Sequence, residues 1–323
     1  MKTPPARSPF ARPLATVAIA LTAIPAAAVL AQGQSAPYTV AESGRAYRSL
    51  QDAVNAIGGG TGTITIAPGR YVDCAVQEAG SVSYVAAEPG QVIFERHACE
   101  DKGALVLRGY NAEVTGIVFQ NIESSDGNGA GIRLEKGNLT VTQSWFRDSQ
   151  QGILTNDDLS ARIVVDKSTF TRLGTCAFSG GCSHSIYVGN YGLLRVTRSR
   201  FEIGRGGHYV KSRSPHVEIA SSSFDDSQDM WTNYMIDLPE GATGQITNNW
   251  FVQGSHKENH SAFIAVAAEE RKFSSAGLKI AGNEARLAPK VDWSTAFIAD
   301  WSGEQLAIGE NRIAEGITRF ERR

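Results

Sequence analysis

The sequence carries no surplus of charge of either sign: 31 Lys and Arg stand against 33 Asp and Glu in 323 residues, a net charge of −2. That balance excludes the basic footprint of a non-specific nucleic-acid binder. Aromatic residues are few, at 8%, and methionine occurs only 3 times, so no Met-rich or aromatic-rich binding surface stands out. Long apolar runs are missing after Ala31, which excludes a later membrane-spanning helix. With 42% hydrophobic and 20% charged residues the chain is not a disordered one.

Glycine, by contrast, is abundant, with 33 copies, which suits a fold of many tight turns between strands. The start of the chain follows its own rule. Lys2, Arg7 and Arg12 precede an Ala-rich apolar run from Leu14 to Leu30, and Val29-Leu30-Ala31 has the small-x-small form of a signal-peptidase site. Residues 1–31 are therefore expected to be a secretory signal peptide. Residues 32–323 are expected to form a single domain, soluble in the periplasm or outside the cell. Export permits disulfides, and proximity pairs Cys176 with Cys182 and Cys74 with Cys99. A zinc site at Cys176, Cys182 and His184 is the weaker alternative, because its spacing is not a usual ligand pattern.

A degenerate repeat sets the fold. Phe119, Phe146, Phe170, Phe201, Phe224 and Phe251 form a column, continued by Ala285 and Ile313, at intervals of about 23 to 34 residues. Five positions before each stands a β-branched residue: Val114, Val141, Val165, Val196, Ile219, Ile246, Ile280 and Ile308. Between them lie Ser144, Ser168, Ser199, Ser222, Asn249, Asn283 and Asn311, whose short side chains bond to turn backbone. Alternation such as Leu139-x-Val141 and Leu194-x-Val196 puts one residue in two on one face, which is strand and not helix. Constant local signatures with variable intervals describe an all-β parallel solenoid, with the Phe column in its core.

A second strand recurs upstream in each unit, as in Ile132 to Leu134, Ile186 to Val188 and Met235 to Leu238, and is expected to build a second parallel sheet. Before the repeats, Tyr47, Leu50, Ala53, Val54 and Ile57 fall at helical spacing and Gly58-Gly59-Gly60 ends the run. This helix, at about 46–57, is expected to cap the open end of the solenoid.

The segment Leu50-Gln51-Asp52-Ala53-Val54, followed by Ile64-x-Ile66-Ala67-Pro68-Gly69-x-Tyr71, resembles the start of the pectate-lyase-like superfamily of right-handed parallel β-helix proteins. The repeats extend that likeness over nearly all of residues 32–323. The resemblance implies a β-helix; lyases, hydrolases, epimerases and inert adhesins all share that scaffold.

Polar residues gather on three successive copies of the upstream strand: His184 to Asn190, Gly207 to Arg213, and Tyr234 to Glu240. If Ile186, Val188, Val210, Ile236 and Leu238 point inward, then Tyr187, Tyr209, Lys211, Arg213 and Asp237 share the outer face. That set fits β-elimination from a uronate, which needs a base, a cation to hold the developing enolate, and an acid for the leaving oxygen. Lys211 is the expected base, its pKa lowered by Arg213, with His208 a competing base. Tyr187 or Tyr209 is the expected acid, and Asp237 completes the catalytic set. Arg213, Tyr209, His184, Asn190 and Glu240 are expected to bind an acidic polysaccharide.

Val210-Lys211-Ser212 with Ser221-Ser222-Ser223-Phe224 also resembles the chondroitinase B and alginate lyase family. That resemblance implies the matching Lys as base, an Arg on the following rung as acid, and calcium on the substrate carboxylate. Here the following rung offers Asp237 instead. A calcium site at Asp225, Asp226 and Asp229 is a possible cofactor site read from the acidic loop. Asn156-Asp157-Asp158 with a later His resembles polygalacturonase-type hydrolases, without their Gly-His-Gly segment. Hydrolysis, epimerisation and a non-catalytic glycan-binding scaffold stand as alternatives to the lyase.

Overall fold

The computed structural model describes residues 1–3, 36–178, 180–228 and 230–323. The expected signal peptide lies almost wholly outside the described residues. The chain divides into two units, Met1–Ser35 and Ala36–Arg323, and the solenoid occupies the second.

Each coil passes through three sheets, one more than the repeat predicts. The first sheet has 12 strands and the second and third have 10 each. The β-branched column is one register line of the first sheet, Val114↔Val141↔Val165↔Val196↔Ile219↔Ile246↔Ile280↔Ile308. The Phe column lies on a different, second sheet and begins one coil earlier, at Phe94. A single residue in left-handed conformation turns the chain between the two: Gly116, Gln143, Lys167, Arg198, Ser221, Asn248 and Gly282. These residues are glycine or have unbranched Cβ atoms, which lowers the steric cost of positive φ. Each gives its N–H to a carbonyl of the next coil, so the corner leaves no donor orphaned. Because the corner consumes one residue, the five-residue spacing reads in sequence as one strand.

The Ser and Asn column follows the corner and does what its side chains suggest. Ser144, Ser168 and Ser199 each donate their N–H to the hydroxyl of the next serine, at 3.1–3.3 Å. Ser222 passes the ladder to Asn249, and Asn249 and Asn283 continue it through side-chain amides. Inside the coils, Phe119 to Phe251 stack face to face with centroids 4.8–5.1 Å apart. All are buried, as expected for core.

One end of the first sheet is covered by Tyr38–Val40, which pairs antiparallel to its first parallel strand, Thr61–Ile66, and by Arg45–Tyr47, which pairs antiparallel to Tyr38–Val40 in turn. Tyr47 is thus strand and not helix. The helix spans Leu50–Ile57, with Ser49 accepting the Asp52 N–H as N-cap and Gly58 closing it at positive φ. Leu50, Ala53 and Val54 join the core. Both expected disulfides are present, Cys74–Cys99 and Cys176–Cys182. Among the described residues no helix is long and apolar enough to cross a membrane.

Candidate functional site

The third sheet positions the polar cluster. Parallel register sets Tyr187, Lys211 and Asp237 side by side on successive strands, Ile186–Val188, Val210–Ser212 and Ile236–Leu238. Their neighbours Ile186, Val210 and Ile236 point into the core. Tyr187, His184, Asn190, His208, Lys211 and Arg213 line one cleft of about 710 Å³.

Lys211 is largely covered, at 8% exposure. Its Nζ lies 3.1 Å from Asp237 Oδ2 and 2.5 Å from Glu269 Oε1. Burial pulls the amine toward neutrality, but Asp237 and Glu269 outweigh it, so the pKa is raised and Lys211 is a cation. This corrects the expectation that Arg213 lowers it: the two carboxylates stand between Lys211 and a free lone pair, so an unprotonated base is not its resting state.

Asp237 shares the outer column, but at 2% exposure it lies beneath Lys211 and does not line the cleft. Burial pushes its carboxyl up to about 6, with Lys211 pulling the other way. Its Oδ2 lies within reach of both Lys211 Nζ and His208 Nε2. His208 is treated likewise by the fold. Its Nε2 is 3.4 Å from Asp237 Oδ2 and its Nδ1 is 3.3 Å from the Tyr234 carbonyl, so both nitrogens face protein acceptors. Burial, then Lys211, pull His208 down to about 3, keeping the ring neutral. His184 Nδ1 accepts the His208 N–H at 2.9 Å, which leaves its other ring nitrogen to carry the proton. Gly207, at φ +60, permits that approach: a Cβ there would meet Ser183 O at 2.2 Å and His184 Nδ1 at 2.4 Å.

Arg213 is the hub on the far side of Lys211. It donates Nε–H to the Tyr187 hydroxyl at 3.0 Å, and pairs with Glu240 at 2.6 Å and Glu269 at 2.5 Å. Tyr187 oxygen thus accepts from Arg213, and the phenol hydrogen remains to be donated. Glu240, itself buried, also meets Lys272 at 3.0 Å, and Lys272 donates to Asn190 at 2.6 Å.

Glu269 and Lys272 come from the segment after the next strand, which the sequence reading passed over. Its backbone is pinned to the site by Glu269 N–H and Glu270 N–H on Pro239 O and by Phe273 N–H on Glu240 O. The charged run Glu269-Glu270-Arg271-Lys272 was the available signal.

Other expectations fare differently. Tyr209 is 1% exposed and lies in the core between Phe201 and Phe224, its hydroxyl donating to Asp225 O. It precedes the regular strand, so alternation does not govern it, and neither the acid nor the binding role stands. Asp226 is buried in an ion pair with Lys257, joined by Thr232. Asp225 accepts the Ser227 N–H, and Asp229 lies outside the described residues. The acidic loop is thus tied to internal partners. The zinc alternative fails because both sulfurs are in a disulfide; among the described residues only Cys176, Cys182 and Glu258 gather at metal-like distances. Asp157 borders the cleft but accepts the Asn190 N–H, while Asp158 holds the Gly137 N–H and Ser160. These are bonds to turn backbone and to a turn serine.

No family model and no curated protein matches the chain. Among solved structures, ORF18 of Geobacillus virus E2 is similar at TM-score 0.56 and 12% identity, covering 84% of this chain and 56% of that one. The two share a fold. This chain spans little more than half the length of the viral protein, and at that identity the likeness shows architecture alone. The surface protein and adhesin PfbA of Streptococcus pneumoniae aligns over 84% of this chain and 94% of its own at 8% identity and TM-score 0.35, too distant to carry an argument. Neither is named as a pectate lyase, so the superfamily goes no further than resemblance.

Proposed function

We propose that this is an exported protein that binds an acidic, uronate-containing polysaccharide in the third-sheet cleft and cleaves it by β-elimination. One observation carries the reading: Lys211 and Arg213 converge on a single carboxylate beside a phenol whose hydrogen is free. Two fixed cations are what a uronate carboxylate needs while negative charge builds at its α-carbon.

In this reading Lys211 is the electrostatic stabiliser and not the base. Proton transfer falls to Tyr187: its phenol hydrogen passes to the leaving oxygen as the C–O bond breaks, and the phenolate so formed takes up the α-proton, restoring the phenol. The Arg213 Nε–H holds the charge that develops on the phenol oxygen. His184, with its free N–H, and Asn190 orient the neighbouring sugar. Asp237 and His208 act through Lys211 and are positioning residues. The two disulfides suit an oxidising compartment.

The test is incubation with pectate, alginate and glycosaminoglycans, following the ultraviolet absorbance of unsaturated uronates. Tyr187→Phe is expected to abolish that signal while keeping the binding. Reducing ends without the absorbance would instead establish hydrolysis, and binding without any product would establish the scaffold alternative. A Tyr187→Phe protein with undiminished turnover would remove Tyr187 from the chemistry.

A further inference from the structure

Glu269 is placed as a ligand would be. Its two oxygens go to two different cations, Oε1 to Lys211 and Oε2 to Arg213, each at 2.5 Å. The side chains of those partners are mostly covered, at 10% and 21% exposure, whereas that of Glu269 is 45% exposed. Burial alone favours its neutral form, but bonds from Lys211 and Arg213 prevail and hold its carboxyl below the usual range.

We propose that Glu269 occupies the subsite of a ligand carboxylate, so that Lys211 and Arg213, which line the cleft, are already paired at rest and a uronate binds by exchanging one carboxylate for another. The inference deepens the reading of the cleft as an acidic-glycan site and rests on it.

The charge count supports the exchange. Without Glu269, the cations Lys211, Arg213 and Lys272 face only the carboxylates Asp237 and Glu240. The vacated place lacks one negative charge. Its two cations do not collapse when Glu269 leaves, because Lys211 keeps Asp237 and Arg213 keeps Glu240 and Tyr187. A preorganised pair of donors loses little entropy on taking a new carboxylate. Departure of Glu269 is also cheap, since a half-exposed carboxylate is readily rehydrated. The backbone of its segment stays anchored on Pro239 and Glu240, so only the side chain must swing. A neutral or methyl-esterified sugar offers no exchange partner, which makes Glu269 a specificity device against uncharged glycans.

The experiment compares the full chain with Glu269→Gln by calorimetric titration of oligogalacturonate, oligomannuronate and methyl-esterified oligogalacturonate. The variant keeps the shape of the side chain and removes its charge. Binding of at least one acidic oligomer is expected to tighten by about tenfold, the worth of a charge-assisted contact no longer competing, with the methyl ester unaffected. In a second measurement, free galacturonate at tens of millimolar is expected to raise the melting temperature of Glu269→Ala more than that of the unaltered chain. Equal or weaker binding by Glu269→Gln, with the unaltered chain binding, would overturn the exchange and leave the glycan reading intact. Failure of every acidic oligomer to bind either folded protein would overturn the glycan reading, and the exchange with it.

Discussion

The second and third sheets are built by the same stacking and put to opposite use. In the second, the register line from Phe94 to Phe251 repeats one residue type through seven coils. In the third, the line running Arg133, Leu154, Tyr187, Lys211, Asp237, Ala265 and Ala299 changes character at almost every step. A ladder of like side chains gains by repetition, because each ring packs on the one before. A column of unlike polar groups gains nothing from stacking as such. Such a column holds only where each group finds partners that its own coil does not supply. Lys211 therefore reaches Asp237 on the next coil and Glu269 beyond it.

The largest expected effect tests the repeating side. Phe170→Ala, in the middle of the ladder, is expected to cost about 3–5 kcal/mol through lost burial and a cavity between two neighbouring rings, read as a shift in denaturant midpoint. A cost below about 1 kcal/mol would mean that the coils stack independently of their aromatic core.

The polar column is expected to be next. Asp237→Ala leaves Lys211 buried with Glu269 alone and is expected to cost about 3 kcal/mol, with Asp237→Asn milder. If both variants melt like the unaltered chain, the column is not held together by charge.

Acid sharpens the same contrast, because the Phe ladder has nothing to titrate. His208 is held neutral, with its pKa lowered to about 3. A lowered histidine contributes stability that is present above its unfolded value, near 6.5, and is lost as pH falls toward 3. Asp237 has the opposite sign. Its carboxyl is raised to about 6, so its contribution is present below about pH 4 and is lost as pH rises to about 6. Melting temperature is therefore expected to fall little between about pH 6 and 4, where the two contributions oppose each other, and more steeply below about pH 4, where only His208 still acts. In His208→Asn it is expected to rise as pH falls from about 6 to 4; a fall in that variant would place the acid sensitivity elsewhere.

The smallest expected change in stability belongs to Tyr187→Phe, within about 0.5 kcal/mol, since a half-exposed phenol loses one bond to Arg213. Paired with the expected loss of product, that near-silence would separate chemistry from scaffold on the third sheet. A large destabilisation would make Tyr187 a structural member of the column.

Much of this was legible before any coordinates. The β-branched, Phe and Ser/Asn columns each proved to be a register line or a ladder, because a solenoid copies its local chemistry from coil to coil. Both disulfides were readable from proximity. Alternation brought Tyr187, Lys211 and Asp237 to one face for the same reason. It failed at Tyr209, one residue outside the regular strand, and at the corner between the first two sheets, where a left-handed residue looks in sequence like one more step of strand.

What the sequence by itself determined is the period: like residues at a fixed place in each coil have only one way to bury themselves, and that is to stack. What only the tertiary structure decided is the protonation and pairing of the groups on the outer face. Glu269 lies 58 residues from Lys211, on a run whose sequence shows its charge and not its partner. A charge responds to whatever lies within a few ångströms, and along a chain wound in coils that neighbour is rarely the next residue.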